Sequence, residues 1–271
     1  MNGLQPIDRR TFLADMGRGA FALAIVTIAG CGPTGQASPS VSGAAPSSPG
    51  GSGSGAPESA SPGDSSAAAP PSGGGDAVTW ERVNLGFVSA YILVRAGEAA
   101  IVDSGVVGST DAIEESLVGV GLDWSAVGHL ILTHHHGDHA GSAGDVLLRA
   151  PDATGYAGAE DIAAISVSRP LTAVGDGEEV FGLRIVTTPG HTAGSICVLD
   201  PVGGVLVAGD ALGTEDGRPS LPSAQFTADM DQAKQSIVKL GGLAFETLLV
   251  GHGEPIEGGA AQAVAELGAA G

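Results

Sequence analysis

The segment Thr133–His139 has the residue types and the spacing of a metal site. It reads Thr-His-His-His-Gly-Asp-His, so His134 and His136 are two residues apart and can share one metal ion from an extended turn. Asp138 and His139 follow at a predicted helix start and can turn toward a neighbouring ion. Imidazole and carboxylate together suit zinc, iron or manganese. The segment therefore predicts a metal site.

Three more candidate ligands stand beside glycine at the ends of predicted strands. His191 and Asp210 each follow a glycine, and His252 has a glycine on either side. Glycine lets the backbone approach a bound ion closely, because it has no side chain. Ligands at strand ends are held rigidly, which a preorganised site requires. We expect these three residues to belong to the same site.

The other residues that could do chemistry are predicted to lie outside the ligand set. Cys197 lies in the middle of an apolar strand, which favours a buried thiol over a ligand. His129 opens an apolar strand, and neither it nor His135 is needed as a ligand. Trp80 and Trp124 are predicted to pack in the core. Cys197 and one N-terminal cysteine are the only two in the chain, so no disulfide framework is available.

Apolar periodicity predicts strands and helices whose ends carry the candidate ligands. The predicted strands span residues 78–85, 88–95, 99–103, 129–132, 154–157, 179–187, 195–200, 205–208 and 245–250. The predicted helices span residues 110–120, 138–150, 229–240 and 259–267, and a polar, proline-containing loop spans residues 211–227. Strands precede helices in each half, which predicts two sheets packed together and flanked by helices.

Residues 1–31 have the features of a bacterial export signal. An apolar run, Ala20–Ala29, is long enough for a signal-peptide core and too short to span a bilayer. The pair Arg9-Arg10 before Phe-Leu resembles the twin-arginine export signal. Ile28-Ala29-Gly30-Cys31 resembles the lipobox, in which the cysteine is lipidated. We expect an exported lipoprotein, anchored through Cys31 to the bacterial membrane at the cell surface or in the periplasm; a plain secretory signal is the alternative.

Residues 32–76 have the composition of a linker. Of these 45 residues, 39 are Gly, Ser, Pro or Ala, and none is aromatic, Leu or Ile. Such a segment cannot bury enough apolar surface to offset its ordering entropy, so we expect a disordered tether. The remaining residues, 77–271, are enough for one well-packed domain.

The charge of the chain argues against a nucleic-acid partner. The chain has 11 Lys and Arg against 30 Asp and Glu, a formal net charge of −19. Residues 77–271 hold 8 of the basic and 25 of the acidic residues, a net charge of −17. Such a surface repels polyphosphates and anionic membrane faces. We therefore expect a small-molecule substrate.

The ordered set His-x-His-x-Asp-His, followed by His191, Asp210 and His252, resembles the metallo-β-lactamase superfamily. The resemblance covers essentially all of residues 77–271. It implies an α+β fold, a four-layer αβ/βα sandwich with the site along one edge.

The resemblance also implies a role for each candidate residue. It implies a first metal ion held by His134, His136 and His191, a second held by Asp138, His139 and His252, and Asp210 as a bridge between the two. Asp103 matches the first motif of the family, Val-Asp-Ser-Gly, whose aspartate supports the site from behind the ligands. Taken without the resemblance, Asp103 could equally be a turn residue.

The ligand set implies a hydrolase with two metal ions, expected to be zinc, with iron or manganese as alternatives. A hydroxide bridging the ions would attack a small ester, thioester, lactone or similar bond. Asp138 and Asp210 are the catalytic candidates. Besides binding an ion, Asp138 can accept and donate a proton. The loop 211–227 is the predicted substrate wall.

Departures from similar sub-families narrow the predicted activity. A bridging Asp210 argues against a β-lactamase, and Gly213 stands where similar lactonases place tyrosine. The chain ends 19 residues after His252, where similar glyoxalase II enzymes continue into a helical domain. Two alternatives remain, a mononuclear iron persulfide dioxygenase of the same fold and a non-catalytic metal-binding lipoprotein.

Overall fold

The computed structural model describes residues 76–270 of the 271-residue chain. The predicted export signal, residues 1–31 with Cys31, lies outside the described residues. The predicted tether, residues 32–76, lies outside them too, apart from Asp76. Within residues 76–270, no helix has both the length and the apolar content that a membrane span requires.

The first sheet has six strands in the order β1-β2-β3-β4-β5-β6. These strands are β1 Thr79–Asn84, β2 Ser89–Arg95, β3 Glu98–Val102, β4 Val127–Leu132, β5 Thr154–Gly158 and β6 Thr172–Val174. Strands β1 to β3 pair antiparallel, whereas β3 to β6 pair parallel. Parallel neighbours need crossover connections, which helices α1 (Thr110–Gly119) and α2 (Ala143–Arg149) provide after β3 and β4.

The second sheet has six strands in the order β14-β13-β10-β9-β8-β7. These strands are β7 Glu179–Val180, β8 Leu183–Thr187, β9 Ile196–Asp200, β10 Val205–Gly209, β13 Thr247–Val250 and β14 Ile256–Glu257. Only β10 and β13 pair parallel, and helix α3 (Met230–Gly241) lies between them in the chain. Strands β11 (Gly213–Glu215) and β12 (Arg218–Ser220) form a separate ribbon, and helix α4 (Ala260–Ala270) ends the described part.

Alternate residues of the central strands face different layers. In β4, Leu130 and Leu132 pack with helix α1, whereas Ile131 packs between the two sheets. In β10, Val205 packs between the sheets, and Leu206 packs with α3 and α4. Because both faces of these strands are buried, their sequences are almost continuously apolar. The layers run helix, sheet, sheet, helix, which confirms the predicted αβ/βα sandwich.

The predicted helix 138–150 is too long at its start. Helix α2 begins only at Ala143, and residues 138–142 form turns. The carbonyl of His139 accepts hydrogen bonds from the N–H and the hydroxyl of Ser104, at 2.6 and 2.9 Å. That carbonyl is therefore committed to another loop, so it does not continue the helical hydrogen-bond ladder.

Two other predictions differ in the second half of the chain. The predicted strand 179–187 is the hairpin β7–β8, turned at Phe181 and Gly182, which both have positive φ (57° and 68°). Such a turn suits the twist of a two-residue hairpin. The predicted loop 211–227 contains the ribbon β11–β12, and the short strands β6 and β14 were not predicted. The remaining elements match the predicted ranges to within three residues at each end.

Candidate metal centre

All seven predicted ligands lie just after the ends of strands β4, β8, β10 and β13, and the fold brings them together. Their ligand atoms form three overlapping groups, within each of which the atoms lie within 4.8 Å of one another: His134, His136 and His191; His134, His139 and Asp210; and Asp138, His139 and His252. Each group offers enough ligands for one metal ion. The overlap of the groups makes them parts of one site.

The first group consists of imidazole nitrogens at ligand spacing. His136 Nδ1 lies 3.1 Å from His134 Nε2 and 3.0 Å from His191 Nε2. Tetrahedral zinc with Zn–N bonds of about 2.0–2.1 Å separates its ligand atoms by about 3.3 Å. The three nitrogens are therefore spaced as ligands of one ion.

The group of Asp138, His139 and His252, called the second ligand group below, combines a carboxylate with two imidazoles. Asp138 Oδ2 lies 3.3 Å from His252 Nε2 and 4.0 Å from His139 Nε2. Asp210 lies between the groups, since its Oδ2 is 3.5 Å from His191 Nε2 and 3.3 Å from His252 Nε2. One carboxylate oxygen thus faces a ligand from each group, which is the position a bridging ligand needs.

Two buried atoms show that a cation suits this site. His139 Nε2 and Asp210 Oδ1 are 3.2 Å apart, and both are buried without a hydrogen-bond partner. Burial lowers the pKa of His139, but the carboxylates of Asp103 and Asp210 outweigh it and raise this pKa to about 10. The surroundings therefore favour positive charge at Nε2, which a proton or a metal ion can supply. The residues fit a bound metal.

The protonation of His134, His191 and Asp210 also suits metal binding. Burial lowers the pKa of His191 to about 4 and that of His134 well below its usual value. Both rings are therefore neutral at pH 7 and can donate a lone pair. Burial raises the pKa of Asp210, but the neighbouring rings of His139 and His252 outweigh it and hold that pKa far below its usual value. Asp210 is therefore ionised.

Asp103 fixes the orientation of His139 from the side away from the candidate metal position. Its carboxylate accepts hydrogen bonds from the Thr133 N–H at 2.7 Å, the Thr133 hydroxyl at 2.8 Å and His139 Nδ1 at 2.8 Å. An ionised carboxylate can only accept, so His139 carries a proton on Nδ1 and leaves Nε2 for the ion. Asp103 has a φ of 63°, a left-handed conformation that Asp and Asn tolerate.

Three further residues, which the sequence did not predict, orient the other rings. The Thr133 hydroxyl donates to Asp103, so it accepts from His134 Nδ1 at 3.1 Å. The Thr227 hydroxyl donates to a carbonyl and accepts from His191 Nδ1 at 3.2 Å. The carbonyl of Phe87 accepts from His252 Nδ1 at 2.7 Å. Each ring therefore directs Nε2 into the site. Only Thr133, which directly precedes the histidine motif, had a signal in the sequence.

Asp161 connects the two loops that carry the first group. It is buried and accepts hydrogen bonds from the N–H of His135 at 3.0 Å, the hydroxyl of Thr192 at 2.6 Å and the N–H of Gly194 at 2.9 Å. The ring of His135 lies 3.1 Å from the same carboxylate and is absent from the three ligand groups. No sequence pattern marks Asp161, because its partners are distant in the chain.

Arg82 and Gly251 hold His252 in place. Arg82 bonds to Glu254 at 2.6 Å and to the Gly253 carbonyl at 2.9 Å, so strand β1 fixes the loop on one side. A Cβ at position 251 would collide with Asp210 Oδ1 and with the ring of His139. Glycine is therefore required for this close approach.

Cys197 and His129 are absent from the three ligand groups found in the described residues, and the two tryptophans pack against the core. Cys197 is fully buried, and burial raises the pKa of its thiol to about 12. The ring of His129 packs against Tyr156, 5.8 Å away between ring centroids. Trp80 and Trp124 are half-buried against the hydrophobic core.

A cavity of about 910 Å³ opens onto the second group of ligands. It reaches Asp138, Asp210 and His252, and much of its wall comes from residues 212–226, which belong to the predicted loop 211–227. A molecule in this cavity would lie against the candidate metal ligands.

Comparison with known proteins assigns the family. The Metallo-beta-lactamase superfamily matches residues 83–252, more than half of the chain, and the chain belongs to this superfamily. The chain is accordingly a hydrolase of the metal-dependent class.

Particular relatives share parts of the chain. The chain is 27% identical over 197 residues to the uncharacterized protein YobT of Bacillus subtilis (strain 168), covering 62% of this chain and 83% of YobT. It is 38% identical over 117 residues to a hydroxyacylglutathione hydrolase of Alkalilimnicola ehrlichii, covering 42% of each chain. This chain therefore spans less than half the length of that enzyme. A crystal structure of a metallo-beta-lactamase family protein from Thermus thermophilus is similar with a TM-score of 0.59 and 27% identity, covering 71% of this chain and 78% of that one.

Proposed function

We propose that the protein is a dinuclear metallohydrolase that cleaves a small ester, thioester, lactone or similar bond. The observation that carries this proposal is the position of Asp210. Its Oδ2 lies within 3.5 Å of a ligand atom from each group, so one side chain can bind two ions. We assign His134, His136 and His191 to a first ion and Asp138, His139 and His252 to a second, both zinc.

The residues of the site have distinct roles in this proposal. Two metal ions held by these residues would activate a water molecule, by lowering its pKa toward about 7, and would polarise the substrate oxygen. Asp138 lies at the cavity wall with part of its side chain exposed, so it can accept a proton and pass it to the leaving group. Asp103 holds His139 in the tautomer that binds metal. Residues 212–226 form the substrate wall.

The relatives support hydrolysis at a carbonyl. One of them is named a hydroxyacylglutathione hydrolase, so thioester cleavage belongs to the proposed range of reactions. The second group of ligands supports a dinuclear site over the mononuclear iron alternative. Asp138 Oδ2 and His252 Nε2 are 3.3 Å apart, a spacing that suits two ligands of one ion.

Hydrolysis assays on the full chain test this proposal. The zinc-loaded chain is expected to hydrolyse at least one of p-nitrophenyl acetate, an acyl thioester and γ-butyrolactone, and to lose activity on chelation. The matched variants are Asp210→Asn, expected to lose at least about 100-fold in kcat, and Asp176→Asn, an exposed aspartate outside the site that should leave kcat unchanged. Absence of hydrolysis by protein with two bound ions would contradict the proposal. Oxygen uptake on a persulfide by iron-loaded protein would favour the dioxygenase.

We also propose that the enzyme is exported as a lipoprotein on Cys31. Support comes from the Arg9-Arg10 pair and the Ile-Ala-Gly-Cys sequence at residues 28–31. In a bacterial host, Cys31→Ala is expected to move the protein from the membrane fraction to the soluble fraction, with Cys197→Ala as the control that stays membrane-bound. Retention of Cys31→Ala at the membrane would contradict the lipid anchor.

A further inference from the structure

Two cavities meet at the ring of Phe226. The cavity of about 910 Å³ adjoins the second ligand group, and another of about 570 Å³ adjoins the first group. Phe226 and His136 line both of them. The Phe226 side chain is 60% exposed, so its ring is available for contact with a bound molecule. The candidate ligands therefore adjoin two cavities, called the larger and the smaller branch below, whose walls share Phe226 and His136.

The backbone around Phe226 is tied to the site. The N–H of Phe226 donates to the Ser223 carbonyl at 3.1 Å, and the N–H of Ala228 donates to the His191 carbonyl at 3.1 Å. The Thr227 hydroxyl accepts from the ring of His191. These bonds fix Phe226 beside a candidate metal ligand, so Phe226 belongs to the site.

The larger branch has an apolar group of lining residues beside the ligands: Phe87, Leu212, Leu221, Pro222 and Phe226. The smaller branch is lined both by polar residues, Glu160, Asp161, Thr192, Gln225 and Thr227, and by apolar ones, Ala164, Ala193, Phe226 and Ala228. A substrate held across the ligands would thus place an apolar part in the larger branch.

The charged residues of both branches have the same sign. Besides the candidate ligands, Glu215 lines the larger branch, and Glu160 and Asp161 line the smaller one. No Lys or Arg is among the residues that line either cavity in the described part of the chain. Away from the candidate ligands, an anionic group would find no Lys or Arg side chain among the lining residues and would be repelled by carboxylates.

We propose that the substrate is an uncharged ester, thioester or lactone with an apolar acyl group of several carbons. The acyl group occupies the larger branch against Phe226, and the rest of the molecule enters the smaller branch near Gln225. Anionic thioesters such as those of glutathione are poor substrates. This inference rests on the proposed hydrolase function, in which the scissile carbonyl would lie at the candidate ligands between the branches.

Hydroxamates, which chelate metal whether or not the protein is catalytic, test the inference by binding. Isothermal titration of the zinc-loaded full chain would compare acetohydroxamate, hexanohydroxamate and the six-carbon hydroxamate with a terminal carboxylate. A fully buried methylene strengthens binding by about fourfold. Over four added methylenes, hexanohydroxamate is expected to bind at least about tenfold more tightly than acetohydroxamate. The anionic analogue is expected to lose this gain.

Two variants locate the effect. Phe226→Ala is expected to reduce the gain from the longer chain by about three- to tenfold, and Phe226→Leu is expected to keep most of it. Glu215→Lys is expected to improve binding of the anionic analogue, whereas Glu215→Gln should improve it less. Kinetics on p-nitrophenyl acetate and hexanoate would be measured in parallel.

The outcomes separate this inference from the proposed function. Equal binding of the short and long hydroxamates, or tighter binding of the anionic analogue, would overturn the inference even if esters are hydrolysed. A chain-length gain that depends on Phe226, without hydrolysis of any ester, thioester or lactone, would support the assignment of the branches and contradict the hydrolase proposal.

Discussion

Replacement of Asp103 by asparagine tests whether the residues behind the ligands control metal binding. Asparagine has nearly the same shape and tolerates the left-handed φ of 63° at this position. It keeps one oxygen for the Thr133 N–H but places an NH₂ group opposite His139 Nδ1. Two donors would then face each other, which favours moving the His139 proton to Nε2, the atom that must bind the ion.

The size of the effect follows from the hydrogen bonds that are lost. The contact between His139 Nδ1 and Asp103 Oδ2 is 2.8 Å long and buried, and such bonds to charged groups contribute about 1.5–3 kcal/mol. Residues in this position behind metal ligands typically affect metal affinity by about 10- to 100-fold. We therefore expect Asp103→Asn to bind the second ion about 10- to 100-fold more weakly than the unchanged protein.

The assay is competition for zinc between the protein and a chromophoric chelator, with circular dichroism to verify folding. Asp123→Asn is the matched control, because it makes the same change of charge at an exposed aspartate that accepts a hydrogen bond from the Ser125 N–H. The control should bind both ions normally. Equal zinc affinity in Asp103→Asn and Asp123→Asn would refute the role assigned to Asp103.

Three other perturbations have defined outcomes. Gly251→Ala places a methyl group against Asp210 and His139, so we expect a loss of about 1–3 kcal/mol in unfolding free energy and fewer metal ions per chain. The control is Gly175→Ala, at a glycine with open space around it. A normal metal content in Gly251→Ala would contradict the close packing of Gly251 against the ligands. Leu130→Ala removes a fully buried side chain and should lower the free energy of unfolding in urea by about 2–5 kcal/mol. Leu148→Ala, at a leucine that is 67% exposed, should change this free energy by no more than about 0.5 kcal/mol. Equal effects of the two substitutions would contradict the placement of Leu130 in the core. Chelation of the metal should lower the thermal midpoint by about 5–10 °C, and an unchanged midpoint would show that the ions do not stabilise the fold.

The fold was largely predictable because its strands are buried on both faces. Apolar runs such as the one around Leu130 identify central strands, and glycine and proline mark their ends. The start of helix α2 was mispredicted, because the His139 carbonyl bonds to Ser104, a contact between residues 35 positions apart. The hairpin at Phe181 was missed, since a phenylalanine with positive φ gives no turn signal.

The candidate ligands were predictable because metal chemistry needs specific residue types at specific positions. The residues that orient them were less so. Asp161 and Phe87 act through hydrogen bonds to distant parts of the chain, and the Phe87 contact uses only a backbone carbonyl. A contact made by a backbone carbonyl does not restrict which side chain stands at that position. The position of Phe226 in the walls of both cavities likewise depends on the hydrogen bonds between residues 223–229 and the His191 loop.

The most direct test of the dinuclear site is the metal content of the full chain, purified without chelator, beside that of Asp210→Asn. Asp210 lies between the two ligand groups, so its replacement should weaken the binding of both ions. We predict two zinc ions per chain in the unchanged protein and one or fewer in the variant. One ion per chain in the unchanged protein, or two tightly bound ions in Asp210→Asn, would contradict a site bridged by this carboxylate.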